Sequence, residues 1–305
     1  MGDDYPDTLR ELEVRFASEE ACREYLFGLR WADGFRCPKC GHREAWKMKR
    51  GLWLCQGCRR QVSVTAGTIF QDSRVSLLTW FCAIWHVTSQ KHGVSAVDLQ
   101  RELDLGSYRT AWTMLHKLRR AMVRPGRDRL DGVVEVDESY WGGSEVGVKG
   151  RLTYKKTLIM VAAEVDGKGI GRIRLRTANE LTKTSANAFV TDMIEPGSTI
   201  RTDGLIVYEN ITGYTHERSV RGTNPKAAAV LLPRAHRVAS LLKRWLLGTH
   251  QGAIGHKQLG HYLDEFVFRF NRRTSASRGK LFYRLLQQAV ATPPATFDKI
   301  SSHKP

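Results

Sequence analysis

The sequence has no apolar run long enough to cross a bilayer. Its most apolar stretch, Leu77 to Val87, is short and carries His86, whereas a spanning helix needs about 20 apolar residues. The basic n-region and apolar h-region of a secretory leader are also missing, and acids such as Asp3, Asp4, Asp7, Glu11 and Glu13 stand there instead. A soluble, cytoplasmic protein is expected. Cysteine is scarce, six in 305 residues, which in such a chain points to metal binding rather than a disulfide scaffold. No internal repeat is visible, and 42% hydrophobic content excludes a disordered chain.

Acids are in deficit. Against 48 Lys and Arg there are 31 Asp and Glu, a formal charge of +17, and an imbalance of that size favours nucleic acid as partner. The excess is concentrated. Between Lys226 and Val290 stand twelve Lys and Arg but only two acids, Asp264 and Glu265. That segment reads as a phosphate-binding surface.

Four cysteines come as two pairs, Cys37-Pro-Lys-Cys40 and Cys55-Gln-Gly-Cys58, with 14 residues between them. Each pair sets two thiolates on one tight turn, and two turns complete a tetrahedral structural Zn²⁺ site. Cys22 and Cys82 lie in apolar helical patterns and read as core thiols. Around the pairs, Lys47, Lys49, Arg50, Arg59 and Arg60 form either a nucleic-acid contact or a solvated basic face.

Downstream, periodicity predicts a helix over Ser76 to Thr88 and two more, Val94 to Leu103 and Tyr108 to Val123, meeting across Asp104-Leu105-Gly106-Ser107. A helix-turn-helix has this pattern and would place Tyr108 and Arg109 on base edges, with Lys117, Arg119 and Arg120 nearer phosphates. An ordinary helical hairpin has it too. Strands follow at Val133 to Asp137, Leu158 to Val165 and Ile170 to Thr177, the last two joined by the hairpin Asp166-Gly-Lys-Gly169. A helix over Thr182 to Ile194 stops at Pro196-Gly197. A short strand, Thr199 to Thr202, then leads into Asp203, a loop covers Gly213 to Pro225, and helices are expected near 226–247, 257–272 and 279–291. Three strands, a helix, a strand and further helices are the order of an RNase H-like α/β domain. The expected division is 1–66 helix and zinc ribbon, 67–126 helical DNA-binding region, 127–291 catalytic domain and 292–305 flexible tail.

Strand alternation puts Glu135 and Asp137 on one face, Val134 and Val136 on the other, with Glu138 pointing away from the acidic pair. Asp203 also ends a strand. Taken singly, a strand-end aspartate is as readily a turn cap. Two on neighbouring strands can hold a pair of Mg²⁺ ions about 3.5–4 Å apart, as in polymerases and nucleases.

Ribbon, helical hairpin, Val-Glu-Val-Asp-Glu-Ser-Tyr-Trp-Gly-Gly and Arg-Thr-Asp-Gly-Leu together resemble bacterial insertion-sequence transposases of the ISXO-two-like group. The stretches His236 to His250 and Tyr262 to Arg273 resemble the C-terminal core of that group, and the likeness runs from about Phe16 to Ala289. The resemblance implies a DDE-type recombinase whose first two acids are Asp137 and Asp203, served by two Mg²⁺ or Mn²⁺ ions. It places the third ligand seven residues before Lys243, where this chain has His236 rather than Glu. Glu265 is the alternative. Lys243, two helical turns after His236, joins the site, and Lys243, Arg244, Arg272 and Arg273 are expected on DNA. The implied partners are the element's terminal repeats and target DNA, bound by a homodimer or higher assembly at the nucleoid. A DNA-binding regulator with a degenerate core, or a structure-specific nuclease on the same fold, would share these features.

Overall fold

The computed structural model describes residues 4–143, 156–219 and 231–302. In chain order the elements are α1 (Leu9–Arg15), α2 (Glu19–Arg30), β1 (Ala45–Lys47), β2 (Trp53–Cys55), β3 (Gln61–Val62), α3 (Leu77–Ser89), α4 (Ala96–Glu102) and α5 (Tyr108–Ala121). Then follow β4 (Val133–Trp141), β5 (Thr157–Asp166), β6 (Gly169–Ala178), α6 (Lys183–Met193), β7 (Thr199–Thr202), β8 (Thr215–Arg218), α7 (Pro233–His250), α8 (Leu259–Phe270), α9 (Arg278–Ala291) and α10 (Phe297–Ser301). They form two compact units, residues 1–124 with 274–305, and residues 125–273. Among the described residues no helix is long and apolar enough to cross a membrane.

The first unit is built around α3, whose Leu77, Trp80, Phe81, Ile84 and Trp85 are all buried. Serine side chains cap its helices: Ser18, Ser76, Ser95 and Ser107 each accept a main-chain N–H of the first turn, an arrangement that stabilises a helix end by about 1 kcal/mol. The expected α4–α5 pair is present. The ribbon is a three-stranded antiparallel sheet, β1-β2-β3.

The C-terminal residues differ from expectation in two ways. Residues 279–291, expected in the catalytic domain, form α9, which packs in the first unit. Phe282 of α9 is fully buried, its ring 5.7 Å from that of Phe81 and 5.9 Å from that of Trp85, and the Ile69 N–H donates to the Ala289 carbonyl. An amphipathic pattern reveals that one face of a helix is buried, not what buries it. The supposed flexible tail holds a helix, α10, with Ile300 buried and the Phe297 ring 5.6 Å from Trp112 of α5.

The second unit carries a five-stranded sheet in the order β6-β5-β4-β7-β8. β4 with β5 and β5 with β6 are antiparallel, whereas β4 with β7 and β7 with β8 are parallel. This is the RNase H-like fold. β5 has no polar face: Leu158, Met160 and Ala162 pack with α6 residues such as Phe189 and Val190, while Ile159, Val161 and Ala163 pack with Leu242 and Trp245 of α7 and Phe266 of α8. The sheet is therefore covered on both faces. On β4, Val134 and Val136 join the α6 side. The expected loop over Gly213 to Pro225 contains β8 instead; Thr215, Glu217 and Arg218 are exposed, so no apolar alternation marks that edge strand. α7 starts at Pro233, a residue suited to a first helical position. The expected helical residues 226–230 and the end of that loop, 220–225, lie outside the described residues.

Truncating Phe282→Ala in the full chain should cost about 3–5 kcal/mol, as expected for a buried phenylalanine. Urea unfolding followed by the fluorescence of the tryptophans around it measures this. A loss below about 1 kcal/mol, the range of surface substitutions, would remove α9 from the core of the first unit.

Candidate active site and metal centre

At the ribbon the thiols of Cys37, Cys40, Cys55 and Cys58 all lie within 4.8 Å of one another. Sγ of Cys37 is 3.7 Å from that of Cys58, and Sγ of Cys40 is 3.6 Å from that of Cys55. A tetrahedron with Zn–S bonds of about 2.3 Å has edges of about 3.8 Å, so the donor set fits structural Zn²⁺. Gly41 turns the first pair at φ +75 and donates its N–H to the Cys37 carbonyl. Burial opposes ionisation of Cys37, but the N–H groups of Cys40 and Lys39 and the thiols of Cys55 and Cys40 outweigh it and bring the thiol to about 6. The His42 N–H favours a Cys40 thiolate, yet the three neighbouring sulfurs prevail and push that thiol up to about 12. Four thiols this close cannot all ionise unaided, and a divalent cation supplies the missing charge. Of the basic residues nearby, Lys47 is bound to Glu20 and Glu24 of α2 at 2.5 and 2.7 Å, and Arg59 lies over the Trp46 ring.

The helix-turn-helix residues divide. Tyr108 is exposed. Arg109 is solvent-facing, with its guanidinium 3.7 Å from the centre of the Phe297 ring. Lys117 and Arg120 are half-buried, and burial lowers the affinity of both for a proton. Arg119 is only 1% exposed, so the expectation that it contacts phosphate is corrected. It stands four residues after Leu115, on the inward face of α5.

In the second unit the acids meet where β7 ends beside the middle of β4, which runs on to Trp141 rather than stopping at Asp137 as expected. Glu135 pairs with Arg201 at the last rung of the parallel ladder, and two residues further along each chain stand Asp137 and Asp203. Gly204, at φ +85, turns the chain directly after Asp203, and the Leu205 N–H donates to Asp203 Oδ1 at 3.2 Å. Carboxylate oxygens of Asp137, Asp203 and Glu138 all lie within 4.8 Å of one another.

The presence of Glu138 corrects the expectation that it points away. Pairing of β4 with β7 ends at Glu135, and beyond that point Glu138 reaches the cluster, where Tyr208 holds it. The Tyr208 hydroxyl donates to Glu138 Oε2 at 3.2 Å. Burial, and then the charges of Glu138, Asp137 and Asp203, push this phenol well above its ordinary range, so it stays a donor. The sequence reading did not include Tyr208; its place five residues after Asp203 is the only signal it offers.

His236, on the first turn of α7, brings Nε2 to 3.2 Å from Asp137 Oδ2. Lys243 lines the same cleft of about 520 Å³ with Asp137, Glu138, Asp203 and His236. That cleft shares Glu138, Ser139, Tyr140 and Lys243 with a second, of about 890 Å³, which adds Lys156 and His256. Glu265, the alternative third residue, is 1% exposed within α8 and lines neither cleft. Beside it, burial pushes Asp264 up to about 7 against the opposing charge of Arg127. Arg244 is exposed. Arg272 is half-buried and Arg273 exposed: Arg272 lies over Phe268 and donates to its carbonyl, and Arg273 donates to the carbonyls of Phe270, Gly171 and Ile170. Both close the end of α8, where cations suit the helix dipole.

Known proteins with the same two parts define the class. Residues 129–271 match the ISXO2-like transposase domain, and residues 17–61 match the transposase zinc-ribbon domain. With both parts, the chain belongs to the ISXO2-like transposase family. It is also 28% identical over 277 residues, 83% of this chain and 91% of the relative, to a protein in transposable element ISH50 of Halobacterium salinarum.

Purified without added metal, the full chain should carry about one zinc, the content of a closed four-cysteine site. Cys40→Ser should lose the metal and loosen the ribbon while leaving the second unit folded, as elemental analysis and limited proteolysis would show. Wild-type protein with well under one zinc would contradict the site.

Proposed function

We propose that the protein is the transposase of an insertion sequence, cutting DNA at the element's ends and joining the freed 3′-OH to target DNA with a divalent metal. The observation that carries this reading is the convergence of Asp137 and Asp203, from adjacent parallel strands, in a cleft that also holds Lys243. Carboxylates within 4.8 Å of one another suit Mg²⁺ or Mn²⁺, which bind oxygen ligands. Two such ions, when bound, activate the attacking oxygen and stabilise the leaving one.

The chain's own groups do the rest. Asp137, Asp203 and Glu138 would hold the metals. His236, beside Asp137, completes the set with a neutral nitrogen or moves a proton to or from the attacking water, since an imidazole titrates near neutral pH. Lys243 offers an ammonium to the phosphate being cut. Lys156 and His256 in the adjoining cleft, with the exposed Arg244, suit the flanking backbone. The ribbon and the N-terminal end of α5, with Tyr108 and Arg109, suit recognition of the terminal repeats. Joining two ends calls for a dimer or higher assembly on DNA.

Asp137→Asn and Asp203→Asn should each abolish strand transfer yet bind element ends normally, because uncharged carboxamides hold divalent cations poorly. His236→Ala should lose most activity, and His236→Glu should keep part of it with a shift from Mn²⁺ toward Mg²⁺. Linear element ends, a target plasmid and each metal provide the assay. Bound DNA without breaks would mark a regulator, cuts without joining would mark a nuclease, and full activity in His236→Ala would remove that residue from the site.

A further inference from the structure

Glu135 stands two residues before Asp137 on the same face of β4, and it is 1% exposed. A carboxylate so buried is costly unless fully hydrogen-bonded. Here both oxygens are engaged. Oε2 accepts the main-chain N–H groups of Arg234 and Ala235 at 2.7 and 3.0 Å, and Oε1 accepts Arg234 Nη1 at 3.0 Å. Those two N–H groups belong to the first turn of α7, where Leu232 stands at the N-cap and offers no side-chain cap of its own. Glu135 supplies that cap from another element, with its negative charge at the positive end of the helix dipole. Arg234 extends the tie: Nε donates to Gly169 O at 2.9 Å and Nη2 to Gly167 O at 2.6 Å, both at the β5–β6 turn.

The spacing gives this clamp its consequence. Two residues along β4 lead from Glu135 to Asp137, and two residues along α7 lead from Arg234 to His236. Glu135–Arg234 and Asp137–His236 are thus successive rungs between one strand and one helix. The first rung is buried, with side chains 2% and 18% exposed; the second opens to the cleft, with the imidazole 41% exposed. With the first turn of α7 held in this way, the imidazole meets Asp137 at 3.2 Å.

We propose that Glu135, with Arg234, is the positioning residue of the site: it holds the first turn of α7 so that His236 stands against Asp137, and it binds no metal itself. The role rests on the reading of Asp137 and His236 as metal-holding residues. It is a second-layer arrangement, in which a group behind the ligand orients it, and loss of such a group typically weakens metal binding about 10–100-fold.

The test is a double-mutant cycle on the full-length, zinc-loaded chain. Mn²⁺ binding is followed by electron paramagnetic resonance, and the ion of interest is the one lost in Asp137→Asn. Glu135→Gln should weaken it about tenfold or more in the parent. In a His236→Ala background the same change should cost less than about twofold, because two residues acting through one contact are not additive. An equal loss in both backgrounds, or none in the parent, would overturn the proposal. If Glu135→Gln does not fold, Arg234→Gln, which keeps the main-chain caps, takes its place with a several-fold loss expected only in the parent. A metal-free measurement separates this role from the function it rests on. The His236 imidazole resonances, identified by their absence in His236→Ala, should move toward solvent-exposed values in Glu135→Gln. Unmoved resonances would overturn the positioning role, whereas a parent that binds no Mn²⁺ while those resonances do move would overturn only the metal reading.

Discussion

The parallel pairing of β4 with β7 is the constraint on which the candidate active site depends. Glu135 stands opposite Arg201, and Asp137 and Asp203, two residues further along each chain, bring carboxylate oxygens within 4.8 Å of one another. Side chains alternate along a strand, so slipping β7 by one residue would send Asp203 to the face occupied by α6. The apolar residue of β7 opposes this, because Ile200, paired with Val134, is buried with Val134 and Val136 on the α6 side and a slip would turn it to the other face. The same alternation that sends two valines toward α6 sends Glu135 and Asp137 toward α7. Packing and site geometry are thus one arrangement seen from two sides of the sheet.

Bringing three carboxylates within 4.8 Å sets like charges against one another, which costs energy at such distances. The fold surrounds them with donors. The Tyr208 hydroxyl serves Glu138, the Leu205 N–H serves Asp203, and the His236 imidazole stands beside Asp137. Lys243 adds a cation at the cleft wall. The acids are thus met by donors on several sides and by one cation. The ribbon answers the same problem with sulfur, where four thiols are held closer than they could all ionise alone.

How much of this was legible in the sequence depended on the range of the interaction. The cysteine pairs were legible because two-residue gaps and turn glycines are local, and the donor set follows from them. Asp137 and Asp203 were legible as a pair on neighbouring strands because strand alternation is local too, although β4 runs on past Asp137. Glu138 was misread because alternation says nothing about where a neighbouring strand stops. β8 was missed because Thr215 to Arg218 is an edge strand with a polar, exposed sequence. Arg119 was counted as a phosphate contact by its charge, although its position four residues after Leu115 pointed inward. α9 was read correctly as a helix and given to the wrong unit, since its partners Phe16 and Phe81 lie far back in the chain. Glu135 passed as an ordinary strand residue, because the helix it caps begins almost a hundred residues later.

The claim that Asp137 and Asp203 form a divalent-metal site is tested most directly by anomalous scattering from crystals of the full chain soaked in Mn²⁺. Zinc at the ribbon cysteines serves as the internal reference. The account predicts manganese between the carboxylates of Asp137 and Asp203 at oxygen distances near about 2.1 Å, with the His236 imidazole facing it. Manganese bound elsewhere in the second unit, or absent from this cleft while zinc fills the ribbon, would contradict it.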